Sequence, residues 1–208
     1  MNLSQTLLQA FLLLRNESDE VYLVGGAVRD YLLGKDPKDF DISTDIHMDK
    51  IEEIFKENDW KVDATGKEFL VMFVSKNNEQ FEIANFRKDG HYNDGRRPET
   101  VEIGTLEEDA NRRDFTVNAI YYNPFSGEFK YPIENSKKDI KNQILRFIGR
   151  PKDRIQEDYL RIFRYYRFLT KGFKPDKISL KACRQYFNEA YFKTTAERVR
   201  NEIERMVL

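Results

Sequence analysis

Residues 21–44 read VYLVGGAVRDYLLGKDPKDFDIST. The short apolar run VYLV at 21–24 has the length of a buried strand. It ends on Gly25-Gly26, and a helical pattern follows over about 27–33. Paired glycines at a strand-to-helix turn let backbone N–H groups approach a phosphate closely. The start of a helix adds positive potential, and Arg29 supplies a fixed cation. Many Gly-Gly turns only reverse the chain, so this one gains meaning from what comes next. Asp39 and Asp41 stand two apart on an expected strand, DFDIS, and so project from one face. Two neighbouring carboxylates repel unless something neutralises them. A Mg²⁺ pair does so, because hard cations take carboxylate oxygens and share their remaining positions with substrate phosphates. A surface strand with two solvated aspartates is the alternative, and it weakens because a phosphate-friendly turn precedes the pair by a single helix.

Outward from this stretch, FLVMFVS at 69–75, FEIANF at 81–86 and NAIYYN at 118–123 read as further buried strands. Helical patterns lie at about 3–14 and 48–58. NPFSGE at 123–128 punctuates a hairpin between NAIYYN and FKYP. RKDGHYNDGRRPET at 87–100 is nearly devoid of apolar residues and long for an idle connection, so it is a candidate functional loop. From Pro151 the texture changes: Ile155, Tyr159, Ile162, Phe163 and Tyr166 recur at three and four, and helical patterns follow at about 176–188 and 195–207. The fold class expected is α+β over residues 1–147, followed by an all-helical unit over 148–208.

Charge divides the chain near the same place. The 208 residues hold 35 Lys and Arg against 36 Asp and Glu, which by itself argues against a highly basic nucleic-acid binder. Residues 1–140, however, hold 18 basic and 28 acidic groups, whereas 141–208 hold 17 and 8. An acidic end can hold divalent cations and a basic end can follow a phosphate backbone, although solvated helix faces would give the same split. The single Cys183 excludes an internal disulfide framework, and with two histidines a nitrogen and sulfur metal cage is improbable. A reducing compartment fits, the cytoplasm first, with an organelle also compatible. No apolar stretch approaches the roughly 18 to 20 residues of a membrane span.

Two more constellations bear chemistry. Arg112-Arg113 precede the buried-looking segment DFTVNA, where an arginine could hold a triphosphate or ribose, or could pair with Asp109 or Asp114. After Pro151, Asp158, Arg161, Arg164 and, less closely, Arg167 are spaced by three on an expected single helix. A carboxylate accepts from an exocyclic amino group and a guanidinium donates to ring acceptors. Asp158 and Arg161 together could therefore read the Watson–Crick edge of cytosine or adenine. The plainer alternative is an intrahelical Asp-Arg pair worth a few tenths of a kcal/mol.

The set VGGAVRDYLLG, DFDIST, RRDFTVNA, RIQEDYLRIFRYYRF and TAERVRNEI, in that order and spacing, resembles the class II tRNA nucleotidyltransferase and bacterial poly(A) polymerase family across nearly the whole chain. The resemblance implies a DNA-polymerase-beta-like nucleotidyltransferase head followed by a helical neck. It also implies addition of CMP and AMP to the tRNA 3′ end without a nucleic-acid template, from CTP and ATP with Mg²⁺. Carried over, the metal-binding aspartates match Asp39 and Asp41. The triphosphate contacts match Gly26 and Arg29, with Gly25 beside them, and Arg113. The protein template for the base matches Asp158 and Arg161, and Arg164 and Arg167 match further nucleotide contacts. Glu82 on the FEIANF strand is the candidate third carboxylate.

The loop that members use to switch from C to A addition matches the stretch from Arg87 to Pro98. Members that add only C look shortened there, so an intact loop favours CCA or A addition. The GRRF signature of the poly(A) polymerases is absent, the region reading TGKEF at 65–69. Members usually continue into helical body and tail domains that grip tRNA, whereas this chain stops at Leu208. It is then a naturally minimal enzyme, a truncated piece, or a remnant that needs a partner protein or a dimer. A poly(A) polymerase and a degenerate RNA-binding module are the rival readings.

Overall fold

The structure, a computed structural model, describes residues 1–90 and 100–207. The chain opens with α1 (Gln5–Arg15), started by the Ser4 hydroxyl, which accepts from the Leu7 N–H at 3.1 Å. Leu7, Ala10, Phe11 and Leu14 form its buried stripe. There follow β1 (Val21–Val24), α2 (Gly26–Leu32), β2 (Asp41–Thr44), α3 (Met48–Glu57), β3 (Lys61–Asp63), β4 (Val71–Lys76), β5 (Glu79–Asn85), β6 (Arg87–Asp89), β7 (Val101–Ile103) and α4 (Leu106–Arg112). The remainder comprises β8 (Tyr121–Tyr122), β9 (Phe129–Lys130), α5 (Ser136–Asn142), β10 (Ile144–Leu145), α6 (Pro151–Glu157), α7 (Leu160–Thr170), β11 (Lys174–Pro175), α8 (Lys177–Lys193) and α9 (Ala196–Val207).

Seven strands form one sheet in the order β3-β4-β5-β2-β1-β8-β9. Only β2 and β5 run parallel, with Asp41 opposite Glu82. The β4–β5 hairpin turns on Asn77 and Asn78, at φ 52 and 62, a left-handed pair that asparagine tolerates. Alternation sorts the two faces. Val21, Leu23, Ile42, Met72, Val74 and Ile83 join the main core with α1 and α3. Tyr22, Val24, Phe86 and Tyr121 form a second cluster with Leu106 and Ala110 of α4. This second face carries Asp41 and Glu82.

The helical end does not have a separate core. Phe115 is fully buried against Phe147, Tyr165 and Phe168, at ring-centre distances of 4.9, 5.9 and 5.5 Å. One apolar cluster therefore runs from the sheet into α7 and reaches Cys183 on α8. The expected α+β part followed by helices is what the chain adopts, except that the two-residue β11 pairs parallel with β10.

Three local expectations need correction. The strand carrying the aspartates begins at Asp41, so Asp39 lies just before it. The expected single helix after Pro151 is two. Asp158 has extended backbone, φ −150 and ψ 106, and its Oδ1 accepts from the Leu160 N–H at 3.1 Å, an alternative to continuing the helix. Lastly, the ends of the candidate loop are ordered: Arg87–Asp89 pairs antiparallel with Val101–Ile103. The candidate switching stretch between them, 91–99, lies outside the described residues. The expected hairpin at 123–128 is present, with the Asn123 N–H donating to the Glu128 carbonyl at 2.9 Å. Among the described residues no helix is long and apolar enough to cross a membrane.

Candidate active site

Gly25 stands at φ 77 and ψ −131, conformational space closed to residues with a side chain. A Cβ there would also meet Asp41 Oδ2 at 3.3 Å and Arg113 Nη1 at 3.7 Å. The glycine turn therefore lies directly against the second aspartate and the second arginine of two distant motifs. A cavity of about 560 Å³ opens over this point. Gly25, Gly26, Arg29, Asp39, Asp41, Arg113, Asp158, Arg161, Arg164 and Arg167 all line it. Of the residues expected from sequence, only Glu82 lies elsewhere, lining an adjoining cavity that shares Asp39 and Asp41.

The carboxylates crowd one another. The Asp41 carboxyl is pushed up to about 6, first by burial and next by the charge of Glu82; Arg113 opposes the rise and Asp39 adds to it. Burial likewise raises Glu82, against the pull of Arg113, Arg87 and Arg112. Among the described residues no three His, Cys, Asp or Glu groups form a ready-made metal cage. Oxygen donors short of a full cage suit a hard cation that completes its coordination with water and phosphate.

Arg29, Arg112 and Arg113 are each held by named partners. Arg29 donates to Asp30 at 2.8 and 3.0 Å and to Asn118 Oδ1 at 2.8 Å, with its guanidinium 4.9 Å from the Phe168 ring centre. Arg113 donates to Asp109 Oδ2 from Nε at 3.1 Å and from Nη2 at 2.9 Å. Asp109, wholly buried, also takes Arg112 at 2.6 Å and the Tyr121 hydroxyl at 2.5 Å. Burial alone would raise the Asp109 carboxyl, but Arg113, Arg112 and Tyr121 hold it at about 2. Pairing of these arginines with an acid is thus present, yet both still line the cavity.

Asp158 and Arg161, expected to read the base together, are each bonded to other partners in this structure. Asp158 Oδ2 accepts from Arg198 of α9 at 3.0 Å. Arg161, 8% exposed, donates to Glu157 at 2.7 Å and to the carbonyls of Arg154 and Arg112 at 2.9 and 3.1 Å. Asn118, Phe168, Arg198 and Arg205 line the cavity as well, beyond the residues expected there, and Asp109, expected as an alternative partner for an arginine, is the anchor of Arg113. Asn118, Phe168 and Arg198 sit inside quoted motifs, so position in a motif was an available signal. Asp109 carries none beyond its spacing of four from Arg113.

The family described as Poly A polymerase head domain matches residues 21–146, and the chain belongs to that family. A CCA-adding enzyme of Listeria monocytogenes is 40% identical over 172 residues, 78% of this chain and 40% of that protein. Poly(A) polymerase I of Haemophilus influenzae is 38% identical over 170 residues, 76% of this chain and 36% of that protein. The solved Bacillus stearothermophilus CCA-adding enzyme in complex with CTP has TM-score 0.84 at 30% identity, over 97% of this chain and 48% of that one. The chain spans less than half the length of these relatives.

Proposed function

We propose that the chain carries the transfer site of a tRNA nucleotidyltransferase, which adds CCA, or its terminal A, to tRNA 3′ ends from CTP and ATP without a nucleic-acid template. The observation that carries this reading is a cavity where Asp39 and Asp41 meet arginines from α2, the segment after α4, and α7. In the proposed division of labour, residues 1–147 hold phosphates and cation, and 148–208 hold the base.

Asp39 and Asp41, with Glu82 across the β2–β5 pair, would hold the divalent cation, Mg²⁺ in this reading. When bound, it neutralises charge on the triphosphate and the attacking oxygen. The Gly25-Gly26 turn brings backbone close to the triphosphate, and Arg29 and Arg113 face its charge, both already oriented by Asn118 and Asp109. The RNA 3′ oxygen bonds to the α-phosphorus, the bond from that phosphorus to the bridging oxygen breaks, and pyrophosphate leaves; the hydroxyl proton passes to water. Asp158 and Arg161 read cytosine or adenine once they exchange Arg198 and Glu157 for the base. Guanine and uracil would set a carbonyl against the carboxylate.

The test is extension of a tRNA lacking CCA, offered CTP, ATP or both, with product lengths read on a gel. Two additions with CTP alone and three with both support the reading. The similarity to a poly(A) polymerase favours a second reading, under which ATP alone with a generic RNA gives long tails.

A further inference from the structure

Every other arginine lining the larger cavity has an acid within 3.0 Å. Arg205 of α9 lines the same cavity, is exposed, and among the described residues has no acidic partner. An exposed arginine is ordinarily just solvated, but this one does not stand on a solvent face of its helix. Arg198, Glu202 and Arg205 fall at i, i+4 and i+7 and so share one stripe of α9. That stripe faces α7: Arg198 donates to Asp158 at 3.0 Å, and the buried Glu202 accepts from Arg167 at 2.6 Å. Glu202 is also the acid three residues before Arg205, its ordinary partner within a helix. It is committed to Arg167 instead.

Position along α9 says what could supply the missing charge. Arg198 marks the base end, beside Asp158. Glu202 follows one turn on, beside Arg167, and Arg205 lies about 4.5 Å farther along the axis. The ring of Phe168 carries the guanidinium groups of Arg167 and of Arg29 from α2, at 4.6 and 4.9 Å from its centre. The far end of the α9 stripe therefore lies with the arginine of the glycine turn. A nucleotide with its base on Asp158 and its phosphates toward Arg29 points its last phosphate at Arg205. We infer that Arg205 binds the terminal phosphate of the incoming CTP or ATP, and keeps hold of that group in the pyrophosphate that leaves. Exposure suits the task, because a charge contact made in solvent is weak enough to let pyrophosphate go. Arg205 lies beyond the last motif, TAERVRNEI at 195–203, and the resemblance gave it no role. The inference rests on the proposed transfer reaction and adds a residue from α9 to its grip on the leaving group.

Calorimetric titration of the wild type and of Arg205→Gln with CTP and with CMP, both in Mg²⁺, tests it. Arg205→Gln should weaken CTP binding by about tenfold, the order expected from loss of a charged hydrogen bond, and CMP binding by less than about twofold. Arg205→Lys, which keeps the charge, should recover most of the CTP affinity. In steady-state extension of tRNA lacking CCA, inhibition by pyrophosphate should weaken in Arg205→Gln by the same factor as CTP binding, with the tRNA KM unchanged. Unchanged CTP affinity in a folded Arg205→Gln protein, an equal loss for CTP and CMP, or an effect confined to the tRNA KM overturns the assignment. Normal extension by the wild type leaves the transfer reading intact in each of those cases. A wild type that extends no tRNA overturns the transfer reading and the inference with it.

Discussion

Asp114 and Arg164, on opposite sides of the junction between sheet and helices, share two hydrogen bonds: Arg164 Nε and Nη2 donate to Asp114 Oδ2 at 2.9 and 2.6 Å. Asp114 Oδ1 meanwhile accepts from Asn118 Nδ2 at 2.9 Å, and Asn118 Oδ1 holds Arg29. Glu202 of α9, 4% exposed, takes Arg167 at 2.6 Å and stands 4.0 Å from Arg164. The arginines of α7 are thus oriented by acids reaching in from both neighbouring elements.

Breaking this relationship should cost stability as well as activity. Asp114→Ala leaves the half-buried Arg164 guanidinium without its main acceptor, and loss of a hydrogen-bonded charged partner costs about 1.5–3 kcal/mol. A urea titration should show a lower midpoint, with the slope unchanged if two-state unfolding holds. A midpoint equal to that of the wild type would show that the pair contributes nothing net.

Acid should unfold the protein in a defined window. Asp114 and Asp109 are each held at about 2 despite burial that would raise them, by Arg164 and Asn118 in one case and by Arg113, Arg112 and Tyr121 in the other. A depressed carboxyl contributes stability that is fully present above its unfolded value near 3.8 and is lost as pH falls toward about 2. Each contributes on the order of 2 kcal/mol above that window. Melting temperature should fall steeply from about pH 4 to pH 2, and less steeply in Asp109→Asn.

Crowding of Asp41 by Glu82 and Asp39 predicts a response to cations that needs no substrate. Millimolar Mg²⁺ should raise the melting temperature of the wild type, by linkage of binding to folding. Asp41→Asn should lose most of that rise, and without Mg²⁺ should melt at or above the wild type because a repelling charge is gone. An Asp41→Asn protein with the full Mg²⁺ shift would remove Asp41 from the proposed cation site.

Asp158→Ala should relax selectivity, lowering the ratio of kcat/KM for CTP over UTP by about tenfold, since one directed hydrogen bond to a base is worth about 1–3 kcal/mol. The same variant frees Arg198, so its melting temperature serves as a control for simple loss of the α9 contact. Unchanged selectivity would count against base reading by Asp158.

Much of the fold and site was legible because local chemistry and long-range contact agree. Gly25 needs positive φ, and the same absence of a side chain admits Asp41 at 3.3 Å. The buried stripes of α1 and α3 follow helical spacing directly. The break at Asp158 was hidden because its apolar neighbours keep a helical period across it. It depends instead on a carboxylate bond to the Leu160 N–H and on Tyr159, whose hydroxyl donates to Glu189 of α8 at 2.7 Å. Asp109 was visible only as an acid that an arginine could pair with, because its four donors converge from α4 and the residue after it, from β8 and from the start of β6, and no single segment shows more than a charge pair.

On the proposed reading, a single cavity of this 208-residue chain performs nucleotidyl transfer to RNA. The decisive measurement is pyrophosphate release from CTP and ATP, with tRNA lacking CCA, for the wild type and for Asp41→Ala. The prediction is release in stoichiometry with added nucleotides by the wild type, and a loss of at least about a thousandfold in a folded Asp41→Ala protein. Release that Asp41→Ala leaves intact, or none from the wild type with any RNA acceptor, would contradict it.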